Sequence, residues 1–229
     1  GGYSNEAVIS YKSAITIEKN LDTERYDVYR IDITPEGWFH TRNGKKYPIN
    51  RDGFMLDLGS GPIRFDAVFI GIHGTPGEDG KLQGYFDLMG LPYTSCDAAT
   101  SAITFNKRYT VAIASFAGIK TSRSLHLFRH ISVDSASISS QLQLPVFVKP
   151  SNGGSSIGMS KVDHASDLPA AIEKAFKEDD QVLIEEYLPG REFTVGVYIR
   201  SGEITVLPIT EVTTTKAFFD FEAKYQPGL

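Results

Sequence analysis

Lys149 stands at the head of a run that could hold a polyanion: Pro150-Ser151-Asn152-Gly153-Gly154-Ser155-Ser156-Ile157-Gly158. A fixed ammonium beside bare backbone N–H groups and serine hydroxyls suits a ligand with many oxygens, such as a nucleotide phosphate. Gly-Gly alone would equally mark a hairpin turn. The surplus of Gly and Ser, with a lysine at the mouth, favours phosphate. No Gly-Lys-Ser/Thr closes the run, so it is not a P-loop. Its glycine spacing is not that of a dinucleotide fingerprint.

His73 is the second candidate. It opens His73-Gly74-Thr75-Pro76-Gly77-Glu78-Asp79-Gly80 at the end of the apolar run Ala67–Ile72. That run reads as a central strand buried on both faces. Ligands of open α/β sheets bind beyond the carboxyl ends of strands, which places His73 well. A histidine in a Gly-rich turn is equally a hydrogen-bonded loop residue. Glu6 lies in the first turn of a predicted helix, where the dipole alone accounts for a carboxylate. Lys107 sits mid-stretch in Asp97–Ala117, and nothing local separates it from a solvated helical lysine.

These residues need elements to hold them. Ser4 is a predicted N-cap, and Ala7, Val8, Tyr11, Ala14 and Ile15 recur at helical spacing as far as Asn20. Tyr26–Thr34 predicts a strand, and Asn43-Gly44 a hairpin turn within Trp38–Asn50. Leu82, Tyr85, Phe86 and Met89 predict a helix closed by Gly90 and Pro92. Asp97–Ala117 predicts one or two helices, Ile119–Leu127 a strand, and Ser132–Gln143 a short helix. Val146–Val148 predicts a strand whose pairing Pro150 should end, for want of an N–H. A returning strand at Ser160–His164 and an amphipathic helix at Asp167–Lys177 follow. Gln181–Tyr187, Phe193–Ile199 and Ile204–Thr210 then read as a three-stranded antiparallel meander, which marks a subdomain boundary near Gln181. Thr213–Leu229 is aperiodic, with Phe218, Phe219, Phe221 and Tyr225, as in a lid over a filled site.

Composition sets the outer limits. With 229 residues, 41% hydrophobic and 22% charged, the chain has globular values and room for more than one domain. A net charge of −5 argues against a nucleic-acid surface. No apolar run reaches the ~20 residues of a membrane helix. One cysteine, Cys96, excludes an internal disulfide and fits a reducing compartment. The chain opens on Gly-Gly rather than Met, with what looks like the turn after an absent strand.

At several places in order, the sequence resembles the D-alanine–D-alanine ligase family. Ser4-Asn5-Glu6-Ala7-Val8-Ile9-Ser10 is similar to its opening S-x-E-x-x-V-S. H-G-T-P-G-E-D-G-K-L-Q-G, His73 to Gly84, matches its signature. Lys149 to Gly158 resembles its phosphate-covering loop, and Glu185 to Glu192 its nucleotide-binding strand. Phe218 to Tyr225, F-F-D-F-E-A-K-Y, resembles its mobile ω-loop. The resemblance implies a mixed α/β and α+β chain: an N-terminal α/β domain, then an ATP-grasp domain incomplete at its C-terminus. The expected divisions are a substrate domain at 1–95, a first ATP-grasp subdomain with the glycine-rich loop at 96–180, and the start of a second, with the lid, at 181–229.

It also implies ATP-dependent ligation of two D-alanines through an acyl phosphate, for peptidoglycan synthesis in the cytoplasm. By resemblance Lys107, Lys149, Ser151, Gly154 and Ser156 hold ATP phosphates. Lys224 would reach the γ-phosphate. Glu185 and Leu188 would border adenine, and Glu192 would accept from ribose hydroxyls. Glu6, Ser155 and Tyr225 correspond to a hydrogen-bonded triad around the substrates, with Glu6 receiving the first D-alanine's ammonium and His73 beside it. A phenol at Tyr225 goes with an amine acceptor, where phenylalanine goes with D-lactate. Family members are commonly homodimers.

Departures from the pattern set further expectations. The family's Arg-x-Asp, its Glu-x-Asn ligands for two Mg²⁺ and its last substrate loop are not in these 229 residues. The resemblance thus describes a chain truncated at both ends, inactive by itself and a poor holder of metal. Phe219 and Phe221 stand where tyrosines are common, and Glu186 where a lysine is. The competing readings are a D-alanine–D-lactate ligase, another ATP-grasp carboxylate ligase, or a nucleotide-binding module without catalysis.

Overall fold

The structure is a computed structural model that describes residues 1–131 and 134–213. The chain forms two compact units. One comprises Gly1–Thr121 with Ser151–Gly154; the other comprises Ser122–Pro150 with the described residues from Ser155 onward.

The first unit opens with helix α1, Ala7–Asn20. Ser4 does not occupy the cap position predicted for it. The helix starts after Glu6, and Ser4 Oγ instead accepts the Glu6 N–H at 3.3 Å. Strands β1 (Ile31–Thr34), β2 (Gly37–Arg42), β3 (Lys45–Asn50), β4 (Met55–Asp57) and β5 (Pro62–Arg64) follow as an antiparallel sheet in sequence order. Asn43 and Gly44, with φ of 51° and 75°, form the expected two-residue turn. The predicted strand from Tyr26 is shorter than expected, because only Ile31–Thr34 finds a partner in β2. Helix α2, Lys81–Met89, ends at Gly90 in the left-handed region, as predicted. It delivers Leu82 and Phe86 into a cluster with Ile33, Ile49, Phe54 and Leu56. Phe54 and Phe86 meet edge to face at 4.9 Å.

Ala67–Ile72 departs from expectation. Its pairing is a single parallel bridge, Val68 to Tyr93, with Val68 N–H donating to Pro92 O at 2.8 Å and Thr94 N–H to Val68 O at 2.9 Å. Ala67 and Phe69 are exposed, while Val68, Ile70 and Ile72 pack on the aromatic cluster. The run has one covered face rather than two. It nonetheless ends on His73, as the sequence implies.

Helices α3 (Ala98–Phe105) and α4 (Lys107–Phe116) resolve Asp97–Ala117 into two. Asn106, nearly buried, makes the break. Its Oδ1 accepts from the N–H groups of Arg108 and Tyr109 at 3.1 and 3.3 Å, capping α4. Lys107 is therefore the first residue of a helix, not a residue mid-helix.

The second unit contains β6 (Ser124–Phe128), α5 (Ser135–Gln141), β7 (Val146–Pro150), β8 (Ser160–Val162), α6 (Leu168–Phe176) and β9 (Gln181–Glu186). The strands pair antiparallel in the order β6-β9-β7-β8. Val146, Val148, Val182 and Ile184 line one face and bury against Leu168, Ala171 and Ala175 of α6. Pro150 stays in register opposite Val182 instead of ending the strand. The β7–β8 ladder already stops at Val148, so Pro150 has one strand neighbour to satisfy.

The expected meander is not what forms. β9 is an inner strand of this sheet, because fully buried Val182 and Ile184 need a covered face. The later strands pair among themselves. β10 (Glu192–Thr194) pairs with β13 (Thr210–Val212), and β11 (Val197–Arg200) with β12 (Glu203–Val206).

Candidate active site

In the first unit, the start of α1 and the turn after Ile72 are built against each other. Glu6 is nearly buried at 3% exposure. Its carboxylate accepts the Gly154 N–H at 3.2 Å. Gly74 has φ +71°, and a Cβ there would strike Ser4 Oγ and lie 2.7 Å from Glu6 Oε2. The signature glycine is thus required by close approach as well as by conformation. Ser10 Oγ accepts the His73 backbone N–H at 2.9 Å, and Ser13 Oγ lies 2.8 Å from His73 Nε2. Glu78 bends its carboxylate back to the Gly74 N–H at 2.6 Å. Loss of solvent at that end pushes the Glu78 carboxyl up from its ordinary value. The Gly74 bond opposes this, the negative charge of Glu6 adds to it, and His73 opposes it. Glu78 as a residue remains exposed, so solvent keeps the effect modest.

Lys107 joins this unit's share of the glycine-rich run. Its backbone N–H donates to Ser151 O at 2.8 Å, and its Nζ donates to Gly153 O at 2.7 Å. Asn106 Nδ2 donates to Asn152 Oδ1 at 3.0 Å. Three consecutive residues of the run, 151 to 153, are therefore tied to the start of α4. Ser151 is fully buried, and its hydroxyl has no hydrogen-bond partner among the described residues.

In the second unit, Lys149 and Glu185 form an ion pair on the sheet face opposite the α6 core. Phe147 stands opposite Glu185 and Lys149 opposite Leu183, so the two charges are diagonal neighbours. Each is about a fifth exposed, at 19% and 20%. Ser155 and Ser156 both lie in the left-handed region, φ 52° and 58°. Non-glycine residues rarely settle there, and such backbone clusters at ligand clamps. Leu188 is exposed, and Glu192 is exposed at the head of β10. Lys224 and Tyr225 lie outside the described residues, and with them the expected convergence of Glu6, Ser155 and Tyr225. Among the described residues, no group of three His, Cys, Asp or Glu side chains could hold a metal ion.

Comparisons with known proteins bear on the family and the fold. The family model for the D-ala D-ala ligase N-terminus matches residues 1–96, and that for its C-terminus matches 106–228. The chain belongs to the D-alanine–D-alanine ligase family. It is similar to the D-alanine–D-alanine ligase of Flavobacterium johnsoniae, 47% identical over 227 residues, covering 99% of this chain and 70% of that protein. It is 43% identical to the ligase of Azobacteroides pseudotrichonymphae, covering 100% of this chain and 71% of the relative. Among solved structures, D-alanyl-alanine synthetase A of Vibrio cholerae superposes with a TM-score of 0.84 at 30% identity, covering 100% of this chain and 70% of that one. The VanG D-Ala:D-Ser ligase of Enterococcus faecalis gives 0.81 at 32%, covering 98% and 71%. The mixed fold, an N-terminal α/β part followed by an ATP-grasp part, is that of D-alanine–D-alanine ligases.

Sequence reasoning assigned no role to Ser10, Ser13 or Glu78. The spacing of Glu6, Ser10 and Ser13 at i, i+4 and i+7 is the signal that could have found the serines.

Proposed function

We propose that this protein ligates two D-alanines to D-alanyl-D-alanine with ATP, through an acyl phosphate, for peptidoglycan synthesis. The observation that carries the proposal is the bond between buried Glu6 and Gly154, because it joins an acceptor for an ammonium to the run that would cover phosphate. ATP would supply the phosphoryl group that converts a carboxylate into an activated acyl donor. Lys107 and Lys149, with the hydroxyls and amides of Ser151, Gly154, Ser155 and Ser156, offer cations and donors suited to phosphate oxygens. Lys224 would join them on the γ-phosphate. Glu185, Leu188 and Glu192 would take the base and ribose. Glu6 would bind the first ammonium, His73 would lie beside the substrates, and Ser155 with Tyr225 would position the second.

The division of labour we infer is substrate binding in 1–95, phosphate covering in 96–180, and nucleotide binding with a lid in 181–229. Mg²⁺ would accompany ATP, held by residues other than those described. A cytoplasmic homodimer is in keeping with the family, and the single cysteine fits a reducing compartment. Among the described residues, no helix is long and apolar enough to cross a membrane.

The test is calorimetric ATP binding by the 229-residue chain, paired with dipeptide release by the product of the complete reading frame. Lys149→Ala should weaken ATP binding at least tenfold, as loss of a charge-assisted contact of about 1.5–3 kcal/mol requires. ATP binding unchanged by that substitution, or ADP release without D-alanyl-D-alanine, overturns the proposal. D-Serine as acceptor is a second reading, favoured by the likeness to the VanG D-Ala:D-Ser ligase. Competition between the two amino acids, read by mass spectrometry of the product, separates them.

A further inference from the structure

Ser10 and Ser13 follow Glu6 along one face of α1, and both hydroxyls end on His73. Ser10 Oγ, 1% exposed, donates to the Glu6 carbonyl at 3.4 Å and accepts the His73 N–H at 2.9 Å. Its hydrogen goes to the carbonyl four residues back, the ordinary use of a helical serine. Ser13 reaches the His73 ring instead, with Oγ 2.8 Å from Nε2. The residue after His73 is pinned as well, since Gly74 sits tight against Ser4 and Glu6. The backbone of His73 is therefore fixed from both sides, and the ring's remaining freedom is rotation about its own bonds. A hydroxyl can donate to a bare Nε2 or accept from Nε2–H, so this contact fixes where the ring points.

We propose that Ser13 is a positioning residue, whose hydroxyl holds the His73 ring in one orientation. One helix would then carry both Glu6 and the group that orients His73. The kinetic consequence rests on the ligase reading; the ring's orientation is a property of this chain alone.

The measurement is the nuclear Overhauser spectrum of the histidine-labelled chain, with His73→Gln identifying the resonances among five histidines. Wild type should show strong contacts from the His73 ring protons to the β-protons of residue 13, and Ser13→Ala weaker ones. Ser13→Thr, which keeps the hydroxyl, should restore the wild-type pattern, and its isostere Ser13→Val should not. The Thr and Val pair carries the test if Ser13→Ala fails to fold. In ligation assays of the product of the complete reading frame, Ser13→Ala should lower kcat about tenfold through lost orientation, with KM for ATP unchanged and Thr rescuing. Identical contact patterns in wild type, Thr and Val variants overturn the proposal. If the pattern changes but wild type makes no dipeptide, the ligase reading fails and the role of Ser13 stands.

Discussion

The sheet β6-β9-β7-β8 and the hairpin β11–β12 are made of similar residues and live in different surroundings. Val148, Val182 and Ile184 in the first are fully buried; Val197, Ile199 and Ile204 in the second are 59%, 68% and 68% exposed. Both segments alternate and both are rich in β-branched residues, which is why both form strands. The difference is cover. Helix α6 lays Leu168, Ala171 and Ala175 over the first sheet, and no such helix lies on the hairpin among the described residues. Strand propensity selects the backbone, but burial depends on what packs on it.

Paired substitutions test this contrast most directly. Ile184→Ala should cost about 2–5 kcal/mol through lost transfer energy and a cavity. Ile199→Ala should stay within about 0.5 kcal/mol. Urea midpoints of the chain measure both, and equal losses would mean that the hairpin is covered. Next in size, Asn106→Ala should cost about 1–2 kcal/mol by removing the cap of α4, along with the Asn152 bond. It should also weaken ATP binding, since the run at 151–153 loses one of its ties. If binding is untouched, the ties to α4 do not organise the phosphate run.

A smaller effect concerns pH. Glu78 has its folded pKa raised, so its protonated form is the one that folding favours. That contribution is complete below the ordinary glutamate value and is lost as pH rises through the raised one. The stability of wild type relative to Glu78→Gln should therefore fall as pH climbs through the weakly acidic range. A difference that is flat with pH would show that solvent screens the carboxyl completely. Also small, Ser4→Ala should change stability by about 0.5–1 kcal/mol, since its Oγ accepts the Glu6 N–H in a partly buried local bond.

Much of the molecule was legible in the string of residues. Helical spacing located α1, α2 and α6, Asn43-Gly44 located a hairpin, and the motif order announced the family. Two failures share a cause. Ala67–Ile72 looked like a doubly buried strand, and Gln181–Thr210 like a simple meander, because periodicity describes a segment and not its neighbours. Phe69 is exposed despite its apolar run, while β9 leaves its sequence neighbours to join β6 and β7. The site divides in the same way. Lys149, Glu6 and His73 stood out by type and motif. The grip of Ser10 and Ser13 on His73, and the tie of Lys107 to Gly153, join positions 46 or more residues apart.

What the sequence determined by itself was chemistry and local form: which groups could bind phosphate or ammonium, where glycine was needed, and which stretches would coil or extend. What only the tertiary structure decided was partnership: which strand lies beside which, which apolar face is covered, and which hydroxyl meets which imidazole. Local preference is set by a residue and its near neighbours along the chain. Partnership is set by packing and hydrogen bonding across long loops, whose closure cost grows slowly with length and leaves little trace in local pattern.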